Sequence, residues 1–428
     1  MSAVLTHNSF CRVCSGTKLK KVLSFGPTPL ANAFLKKEDL RNEERYFPLD
    51  VYLCKECGLL QLTDIVAPEV LFRDYVYVSS TSPVFVAHFE KFAEKVHKRF
   101  KLGRESLVMD IGSNDGILLA PFKERGVRVL GIEPDKTIAR MAEKKGIPTI
   151  SEFFSPALAR KIKKGFGSAR TNFSKKNLRG QADIITATNV FAHINDIHEV
   201  AKGVKILLKK HGVFIIEVPY LVDFLEQNLF DTVYHEHLSY FSVSALNRFF
   251  KEVGMEIIDV ERVETHGGSL RVYAQKKGVL ERVTDAVKSF LNREKKMGLH
   301  KEEVYRDYAH RIGENRAKLL SLLAGLKQEG KRIAGYGAPA KGNTLLNFFS
   351  IGPDILEYIV DDSPQKQGKF TPGKRISVVS KETLEKDPPD YLLIMAWNFA
   401  PSIMKKNEAF RKRGGKFIIP VPTPRIVK

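Results

Sequence analysis

The nine residues from Val233 to Phe241 include two histidines, one glutamate and two tyrosines. Removing a proton from carbon requires a base whose pKa lies near neutral pH, and imidazole is the side chain that has such a pKa without perturbation. The segment therefore predicts proton transfer at a bound substrate, with His235 and His237 as the candidate bases. A polar loop whose histidines only hydrogen-bond neighbouring backbone groups has the same composition, so the decision depends on the rest of the chain.

The bulk composition limits the class of protein. With 428 residues, the chain exceeds the size at which one core usually keeps growing, which predicts two or three domains. The N-terminus lacks a basic segment followed by an apolar one, and no apolar run reaches about 18 residues, so we expect a soluble cytoplasmic protein with no membrane partner. The net charge of +20 suits nucleic acid or a small anionic substrate such as a nucleotide diphosphate. Because the basic residues are spread along the chain, we expect no nucleic-acid partner; the densest run, 160–179, predicts a surface insertion.

All four cysteines of the chain fall in two Cys-x-x-Cys pairs, Cys11 with Cys14 and Cys54 with Cys57. Two such pairs complete a tetrahedron of thiolates suited to zinc, with bonds of about 2.3 Å. A redox dithiol is the alternative interpretation. A site closed by four cysteines leaves no coordination position open, so we predict one structural zinc ion.

A nucleotide-binding pattern begins at residue 107. An apolar strand at 107–111 leads into a turn at 112–116 that starts and ends with glycine, then a helix, and then a second strand at 128–132 that ends at Glu133. An acid at this place in a βαβ unit accepts the hydroxyls of a ribose. The turn lacks the Gly-x-Gly-x-x-Gly spacing, and its asparagine and aspartate suit a pyrophosphate poorly. S-adenosyl-L-methionine, which has no phosphate, therefore fits better than NAD; a turn that binds nothing is the other interpretation.

The alternation of strands and helices continues beyond this unit. We predict a helix near 84–100 before it, and after it elements at 182–187 (strand), 197–209 (helix), 212–219, 255–263 and 269–275 (strands). Loops at the carboxyl ends of parallel strands form the ligand crevice, and His193 lies in one of them. The last two strands are predicted to pair antiparallel and close the sheet.

A second βαβ pattern occupies the C-terminal part, after a helical stretch at 280–328. Its strand at 332–336 is followed by a turn at 337–343, a helix and a strand that reaches residue 360. Further strands at 376–379, 391–396 and 416–421 predict a small parallel sheet.

Six motifs, in this order along the chain, resemble the sugar C-methyltransferase family, which includes the tetronitrose C-3 methyltransferase. They are the double Cys-x-x-Cys, Gly-Ser-Asn-Asp-Gly with Glu133, Asn-Val-Phe-Ala-His (189–193), Tyr-His-Glu-His (234–237), His-Gly-Gly-Ser-Leu-Arg (266–271) and Gly-Tyr-Gly-Ala-Pro-Ala-Lys-Gly-Asn (335–343). The resemblance runs over nearly the whole chain, from about Cys11 to Val421. Each motif alone is modest, whereas six in order are specific.

The resemblance implies an α/β protein with three domains and a linker. These are an N-terminal four-cysteine zinc-binding domain (1–72), a class I S-adenosyl-L-methionine (SAM) methyltransferase domain of Rossmann type (73–279), a helical linker (280–330) and a C-terminal Rossmann-like nucleotide-sugar-binding domain (331–428). The basic run at 160–179 is not part of the family pattern.

The resemblance also implies the reaction: methylation of a nucleotide-diphosphate 4-keto-deoxysugar at C3, with SAM as the methyl donor. His237 resembles the general base, and Tyr234, Glu236 and His193 resemble its companions. The C3–H bond is acidic only because of the adjacent ketone, so the enzyme must take this proton while it hydrogen-bonds the developing enolate oxygen. Tyr234 or His193 would donate to that oxygen, and Glu236 would orient an imidazole or bind a sugar hydroxyl. No metal is needed for this chemistry, which keeps zinc structural.

The remaining expected site residues follow from the same motifs. Expected at the cofactor are Asp110, Gly112, Asn114, Asp115, Gly116, Glu133 and Asn189. Expected at the substrate are Tyr75, Tyr77, His235, Gly268, Arg271, Tyr336, Lys341 and Asn343. Two other functions stay open: O- or N-methylation of another acidic small molecule, and a zinc-ribbon methyltransferase of nucleic acid. The sequence specifies neither the sugar, its nucleotide and the methylated carbon nor the oligomeric state.

Overall fold

The computed structural model describes residues 4–71, 78–165, 180–279 and 283–428. Residues 4–71 form what we call the N-terminal module. It contains β1 (Leu5–His7), β2 (Leu19–Thr28), β3 (Phe47–Cys54), β4 (Leu60–Leu62), β5 (Asp64–Val66) and α1 (Pro68–Leu71). The strands β2, β3 and β4 pair antiparallel, and β1 pairs with β5. In β3 every second residue, from Phe47 to Leu53, is buried and apolar, which is the period of a strand with one face on a core.

The central part carries the long sheet. Its elements are α2 (Pro83–Arg99), β6 (Leu107–Ile111), α3 (Leu119–Glu124), β7 (Arg128–Ile132), α4 (Lys136–Lys144), β8 (Thr149–Ile150), α5 (Pro156–Lys164), β9 (Ala182–Thr188), α6 (Ile197–Leu207), β10 (Leu208–Pro219), α7 (Leu221–Glu226), β11 (Ser239–Tyr240), α8 (Val243–Glu252), β12 (Met255–Val263) and β13 (Ser269–Lys276).

The strands of this sheet lie in the order β12-β13-β10-β9-β6-β7-β8. Those from β6 to β10 are parallel, and β13 is antiparallel to both of its neighbours. Strand β6 is buried at all five positions, as expected for a strand covered on both faces. The strand order reverses between β6 and β9, and the ligand crevice of an open α/β sheet lies at such a switch point, outside the carboxyl ends of the strands. The predicted fold class is confirmed.

Strand β11 belongs to a different sheet from its sequence neighbours. It pairs antiparallel with β4, with Ser239 opposite Gln61 and Tyr240 opposite Leu60. The central part of the chain therefore supplies the fourth strand of the sheet in the N-terminal module.

Six α-helices and a six-stranded sheet, the C-terminal sheet, complete the part of the chain that the structure describes. These are α9 (Asp285–Met297), α10 (Glu302–Gln328), β14 (Ile333–Tyr336), α11 (Ala340–Phe349), β15 (Ile359–Val360), β16 (Val378–Val379), α12 (Lys381–Lys386), β17 (Tyr391–Ile394), α13 (Ala400–Lys406), α14 (Glu408–Lys412), β18 (Lys416–Ile419) and β19 (Arg425–Val427). The order is β16-β15-β14-β17-β18-β19. The first five strands are parallel as predicted, but the prediction of a wholly parallel sheet is wrong because β19 adds an antiparallel edge.

One continuous cluster of buried apolar residues joins all three parts of the chain. It includes Cys11 and Leu53 in the N-terminal module, Ile216 in β10, Leu319 in α10 and Ile418 in β18. Full burial of a large aliphatic side chain stabilises a fold by about 1.5–3 kcal/mol. The three parts are therefore held together by apolar packing as well as by the polar contacts described below.

Most of the predicted ends of strands and helices lie within a few residues of those in the structure. The strands expected at 107–111, 128–132 and 255–263 are confirmed at both ends. The predicted insertion at 160–179 is wrong at its start, because Arg160 lies in α5, whose apolar residues Leu158 and Ile162 pack into the core. Residues 166–179 lie outside the described part. None of the described helices combines the length and the apolar character needed to cross a membrane.

Candidate active site

The turn after β6 is a tight structure at the crevice. Gly112 and Gly116 have φ of +71° and +80°, values that favour glycine. A Cβ on Gly112 would lie 2.9 Å from Cγ2 of Val190, so the turn packs directly against the segment after β9. The side-chain oxygen of Asn114 accepts the backbone N–H of Ser79 at 2.9 Å. The turn is thus fixed between the residues just before α2 and the loop that carries His193.

Two buried carboxyl groups stand at the ends of β6 and β7. Glu133 accepts the backbone N–H groups of Asn114 and Asp135, each at 3.0 Å. Burial raises the pKa of Glu133, and these two hydrogen bonds oppose the rise. Asp110 accepts the hydroxyl of Thr186 at 2.5 Å, and burial raises its pKa to about 7. Because Glu133 occupies a backbone amide of the turn, that amide is not available to a phosphate.

Several buried polar atoms beside the turn lack a hydrogen-bond partner within the part of the chain that the structure describes. They are Oγ of Ser113, Oδ1 of Asp115 and Oδ1 of Asn189. The other carboxylate oxygen of Asp115 accepts a hydrogen bond from Lys145 at 2.5 Å. Since nearly all buried polar groups in native proteins are paired, these atoms fit a ligand that brings its own polar groups. The ammonium, ribose hydroxyls and adenine amine of SAM are such groups.

We call residues 232–238 the histidine loop. Nδ1 of His237 lies 2.7 Å from the carbonyl oxygen of Thr232, and Nε2 lies 2.7 Å from the hydroxyl of Tyr234. A carbonyl only accepts hydrogen bonds, so Nδ1 carries the hydrogen, and in the neutral ring Nε2 is the basic nitrogen. The ring of His193 lies 4.8 Å from the ring of His237, at an angle of 71°. The structure therefore brings three of the four predicted catalytic residues together.

The N-terminal module holds the end of the histidine loop. The carbonyl of Leu238 accepts hydrogen bonds from the backbone N–H of Leu62 at 3.0 Å and from the guanidinium of Arg12 at 3.1 Å. Its N–H donates to the carbonyl of Ala192, next to His193, at 3.0 Å. Arg12 is almost fully buried and lies between two of the cysteines. Leu238 thus connects the turn of Cys11 and Cys14 with the loop after β9, because it hydrogen-bonds both Arg12 and Ala192.

The two middle residues of the histidine loop also contact the N-terminal module. His235 is 1% exposed, and its Nε2 lies 3.2 Å from the carbonyl oxygen of Phe47. Burial lowers the pKa of His235 to about 4. Glu236 accepts a hydrogen bond from the side-chain amide of Asn32 at 2.8 Å, and burial raises its pKa to about 7. The enclosed position of His235 gives no support to the predicted contact with substrate, which stays a prediction.

The four cysteines form a compact group. Their Sγ atoms all lie within 4.8 Å of one another. Cys11 and Cys57 are 3.5 Å apart, and Cys14 and Cys54 are 3.6 Å apart. A tetrahedral zinc site with bonds of about 2.3 Å has sulfur–sulfur edges of about 3.8 Å. The group therefore fits one zinc ion with small adjustments, and all four positions would be taken by protein.

Arg271, expected at the substrate, is committed to a buried ion pair. Its guanidinium donates to Glu217 at 3.1 and 3.0 Å and lies 3.9 Å from the ring centroid of Phe92 in α2. Glu217 is also 2.8 Å from Nε2 of His88. Burial alone would raise the pKa of Glu217, but the hydrogen bond with His88 and the charge of Arg271 bring it below its usual value. This cluster joins α2 to β10 and β13, a role that the prediction did not include.

Packing within the protein explains why residue 268 is a glycine. Its φ is +128°, and a Cβ there would lie 2.3 Å from a carboxylate oxygen of Asp223. Its carbonyl accepts the backbone N–H of Tyr220 at 3.2 Å. The close approach of Asp223 requires glycine at this turn whether or not a substrate contacts it.

Lys341, near the start of α11, belongs to a polar cluster with Trp397, Asn398 and Asp231. Its ammonium lies 4.8 Å from the ring centroid of Trp397 and is hydrogen-bonded to Asn398. Burial lowers the pKa of Lys341 to about 8, and the charge of Asp231 opposes this shift. Trp397 in turn donates to Asp231 at 2.6 Å. Asp231 directly precedes Thr232, whose carbonyl holds His237, so the cluster is one residue from the histidine loop.

Tyr336 in β14 and Asn343 in α11, which are also expected at the substrate, have protein partners. The hydroxyl of Tyr336 donates to Asp362 at 3.3 Å, and the side-chain amide of Asn343 donates to the carbonyl of Ala31 at 2.7 Å. Asn343 thus links α11 to the N-terminal module.

The predicted residues Tyr75 and Tyr77 lie outside the described residues. Sequence reasoning missed Asn32, Asp231 and Trp397. Trp397 is the single tryptophan of the chain and follows the carboxyl end of a predicted parallel strand, a position that signals a ligand crevice. For Asn32 and Asp231 no local signal exists, because their partners are distant in sequence.

Three family models match the chain. One described as a zinc binding domain matches residues 11–72, one described as a methyltransferase domain matches 86–260, and one described as a C-methyltransferase C-terminal domain matches 264–422. The chain is 39% identical over 417 residues to the C-methyltransferase NovU of Streptomyces niveus, an alignment that covers 97% of this chain and 96% of that protein.

Solved structures match only part of the chain. The PH0226 protein of Pyrococcus horikoshii OT3 covers 49% of this chain and 100% of its own, with 15% identity and a TM-score of 0.36. The magnesium protoporphyrin IX methyltransferase of Synechocystis PCC 6803 with bound SAM covers 49% of this chain and 89% of its own, with 14% identity and a TM-score of 0.31. At these identities and TM-scores, the two structures give no information about the substrate or the site residues of this chain.

Proposed function

The chain belongs to the C-methyltransferase family, and from this membership we propose that it methylates a nucleotide-diphosphate 4-keto-deoxysugar at C3. The observation that carries the proposal is the 2.7 Å contact between Nδ1 of His237 and the carbonyl oxygen of Thr232, from which the tautomer of the neutral ring follows. Its Nδ1 is committed to the Thr232 carbonyl, so Nε2 is the basic nitrogen, as deprotonation of a carbon acid requires. Methylation of oxygen or nitrogen uses a lone pair that exists before any proton is removed, whereas a carbon acid has no nucleophilic electron pair until a base takes its proton.

His237 takes the C3 proton in this proposal, and its neighbours stabilise the charge that forms. The Tyr234 hydroxyl is 2.7 Å from Nε2 and donates to it in the neutral tautomer inferred above. With substrate present, this hydroxyl turns to the C4 oxygen, where a preformed donor stabilises the enolate. His193, whose ring lies against that of His237, is the second candidate donor.

The central crevice binds the methyl donor. SAM supplies a methyl group on a sulfonium, and transfer to the carbanion depends mainly on in-line positioning. Glu133 accepts the ribose hydroxyls through the lone pairs that its two backbone hydrogen bonds leave over. Asp110, Asp115, Asn189 and the glycines of the turn line the rest of the site.

The C-terminal sheet and the helix α11 that follows its strand β14 bind the nucleotide diphosphate in this proposal. Helix α11 begins at the carboxyl end of β14, and its first N–H groups have no side-chain cap, so the positive end of the helix dipole is open to an anion. Lys341 adds a charge, because a pKa of about 8 leaves it mostly protonated at neutral pH. The division into a zinc-binding domain, methyltransferase domain, linker and nucleotide-sugar domain at residues 72, 279 and 330 belongs to this proposal.

Glu133→Ala is expected to weaken SAM binding by at least about tenfold, the scale of losing a charge-assisted pair of hydrogen bonds. Calorimetric titration with SAM measures the effect. Because Glu133 also holds the backbone of the turn, Glu133→Gln is the companion variant: it keeps one acceptor oxygen and should lose less. Unchanged affinity in Glu133→Ala would remove this residue from the site.

The proposed reaction is tested with methyl-labelled SAM and a panel of thymidine- and uridine-diphosphate sugars. Label should pass to carbon in 4-keto-deoxysugars and not in their 4-hydroxy counterparts, which share every other group but lack the acidifying ketone. Transfer to a hydroxyl or amine, or to nucleic acid included in the same panel, would contradict the proposal and favour the corresponding alternative.

A further inference from the structure

A short segment of the N-terminal module reaches both other parts of the chain. It runs from residue 29 to residue 34, directly after β2. The side-chain amide of Asn32 donates to Oε1 of Glu236 in the histidine loop at 2.8 Å. The carbonyl of the preceding residue, Ala31, accepts the amide of Asn343 in α11 at 2.7 Å. One short segment thus touches the candidate catalytic loop and the start of the candidate nucleotide site.

The carboxylate that Asn32 contacts is itself unusual. Glu236 is only 4% exposed, and Asn32 holds one of its oxygens. Its other oxygen, Oε2, makes no hydrogen bond within the described ranges. A buried carboxyl group costs free energy unless it is hydrogen-bonded, and here the side chain has one donor for two oxygens. The second oxygen therefore has capacity for a donor from outside the protein.

A purely structural tether is the competing explanation. An amide–amide pair would join the same two segments without the cost of burying an acid, so a tether does not require glutamate. Burial also raises the pKa of Glu236 to about 7, whereas the hydrogen bond from Asn32 favours the ionised form. The contact does more than connect two segments, because it holds the carboxyl group of Glu236 in place and also favours its ionised form.

We propose that Asn32 is a positioning residue of the active site, which fixes Glu236 through Oε1 so that Oε2 accepts a hydroxyl of the sugar substrate. This inference rests on the proposed function. It assigns the N-terminal module a part in the site besides holding metal: it supplies the group that orients a substrate-binding carboxylate. Asn32 itself does not touch the reacting atoms.

Asn32→Leu tests the proposal, because leucine keeps the shape of asparagine and removes its donor. We expect kcat/KM for the keto-sugar to fall about tenfold, mainly through KM, while the Kd for SAM stays within about twofold. Asn32→Ala is the second variant should leucine disturb folding, as judged from melting curves. Asn42→Ala, at an exposed position of the same module, is the matched control and should keep full activity.

A double-mutant cycle separates positioning from general damage. If Asn32 acts through Glu236, then Asn32→Leu combined with Glu236→Gln should be no worse than Glu236→Gln alone, within about twofold. Losses that multiply would overturn the inference, and so would normal kinetics in both Asn32 variants.

A spectroscopic measurement keeps the inference separate from the proposed function. The infrared carboxyl band of protonated Glu236, identified by its loss in Glu236→Gln, can be titrated without any sugar. Removing the donor should move the midpoint of this titration to higher pH by at least about half a unit. If wild-type protein methylates no keto-sugar, the proposed function fails while this shift still decides whether Asn32 controls Glu236. An unchanged midpoint in an active enzyme would overturn the role of Asn32 alone.

Discussion

His237→Asn is expected to lower turnover by about 100-fold or more while melting temperature and SAM binding stay near those of the wild type. Asparagine can still donate to the Thr232 carbonyl in place of Nδ1, so the loop keeps its hydrogen bond. What is lost is the basic Nε2 beside Tyr234. Exchange of the C3 hydrogen with deuterated water, followed by NMR in the presence of an unreactive SAM analogue, should fall in parallel with methyl transfer.

His235→Asn is the matched control for this result. Its imidazole lies two residues away but is enclosed against Phe47, and burial lowers its pKa to about 4, too low for a base that works near neutral pH. The variant should lose stability yet keep C3 exchange in the molecules that remain folded. Near-normal exchange in His237→Asn would refute the assignment and make His193 the base to test next.

Removal of zinc is expected to have the second largest effect, because it acts on both stability and activity. Protein purified without added metal should contain about one equivalent of zinc, and prolonged chelation should lower the melting temperature by about 10 °C or more, since a structural zinc site contributes several kcal/mol to folding. Activity should fall as well, because Arg12, between two zinc ligands, hydrogen-bonds the Leu238 carbonyl at the end of the histidine loop. Calorimetry and metal analysis measure the two effects.

The specificity of the zinc effect can be checked by adding metal back. Zinc should restore the melting temperature and the activity together, and magnesium should restore neither, because it prefers oxygen ligands over thiolates. Cys54→Ser should behave like the chelated protein. Zinc-free protein that is fully stable and active would contradict a structural site.

The fold was largely predictable because its signals are local. The apolar run at 107–111, the glycines of the next turn and the acid at 133 lie within 27 residues (107 to 133) and dictate strand, turn and strand by their own chemistry. The same holds for the four cysteines, whose spacing predicts the pairs that the structure brings together. The antiparallel strand β19, only three residues long, gave too short a pattern to be recognised.

The parts of the site that sequence did not predict depend on contacts between distant residues. Strand β11 has two residues, and nothing in Ser239 and Tyr240 indicates that they pair with β4, far away in the N-terminal module. Arg271 sits in a family motif that suggests a ligand, yet its guanidinium is taken by Glu217, a partner that only the folded sheet brings next to it. Burial of Glu236 against Asn32 is of the same kind.

The pairing of β11 with β4 also determines how genes of this kind can recombine. A hybrid that joins the first 70 residues of one parent to the remainder of another would pair strand β4 of the first protein with strand β11 of the second, at Gln61 and Ser239. A shift of one residue in that register would reverse which side chains face the core. A recombinant that takes the stretches around residues 60–62 and 239–240 from the same parent keeps this pairing intact, so we expect the N-terminal module to be exchanged successfully only together with the histidine loop.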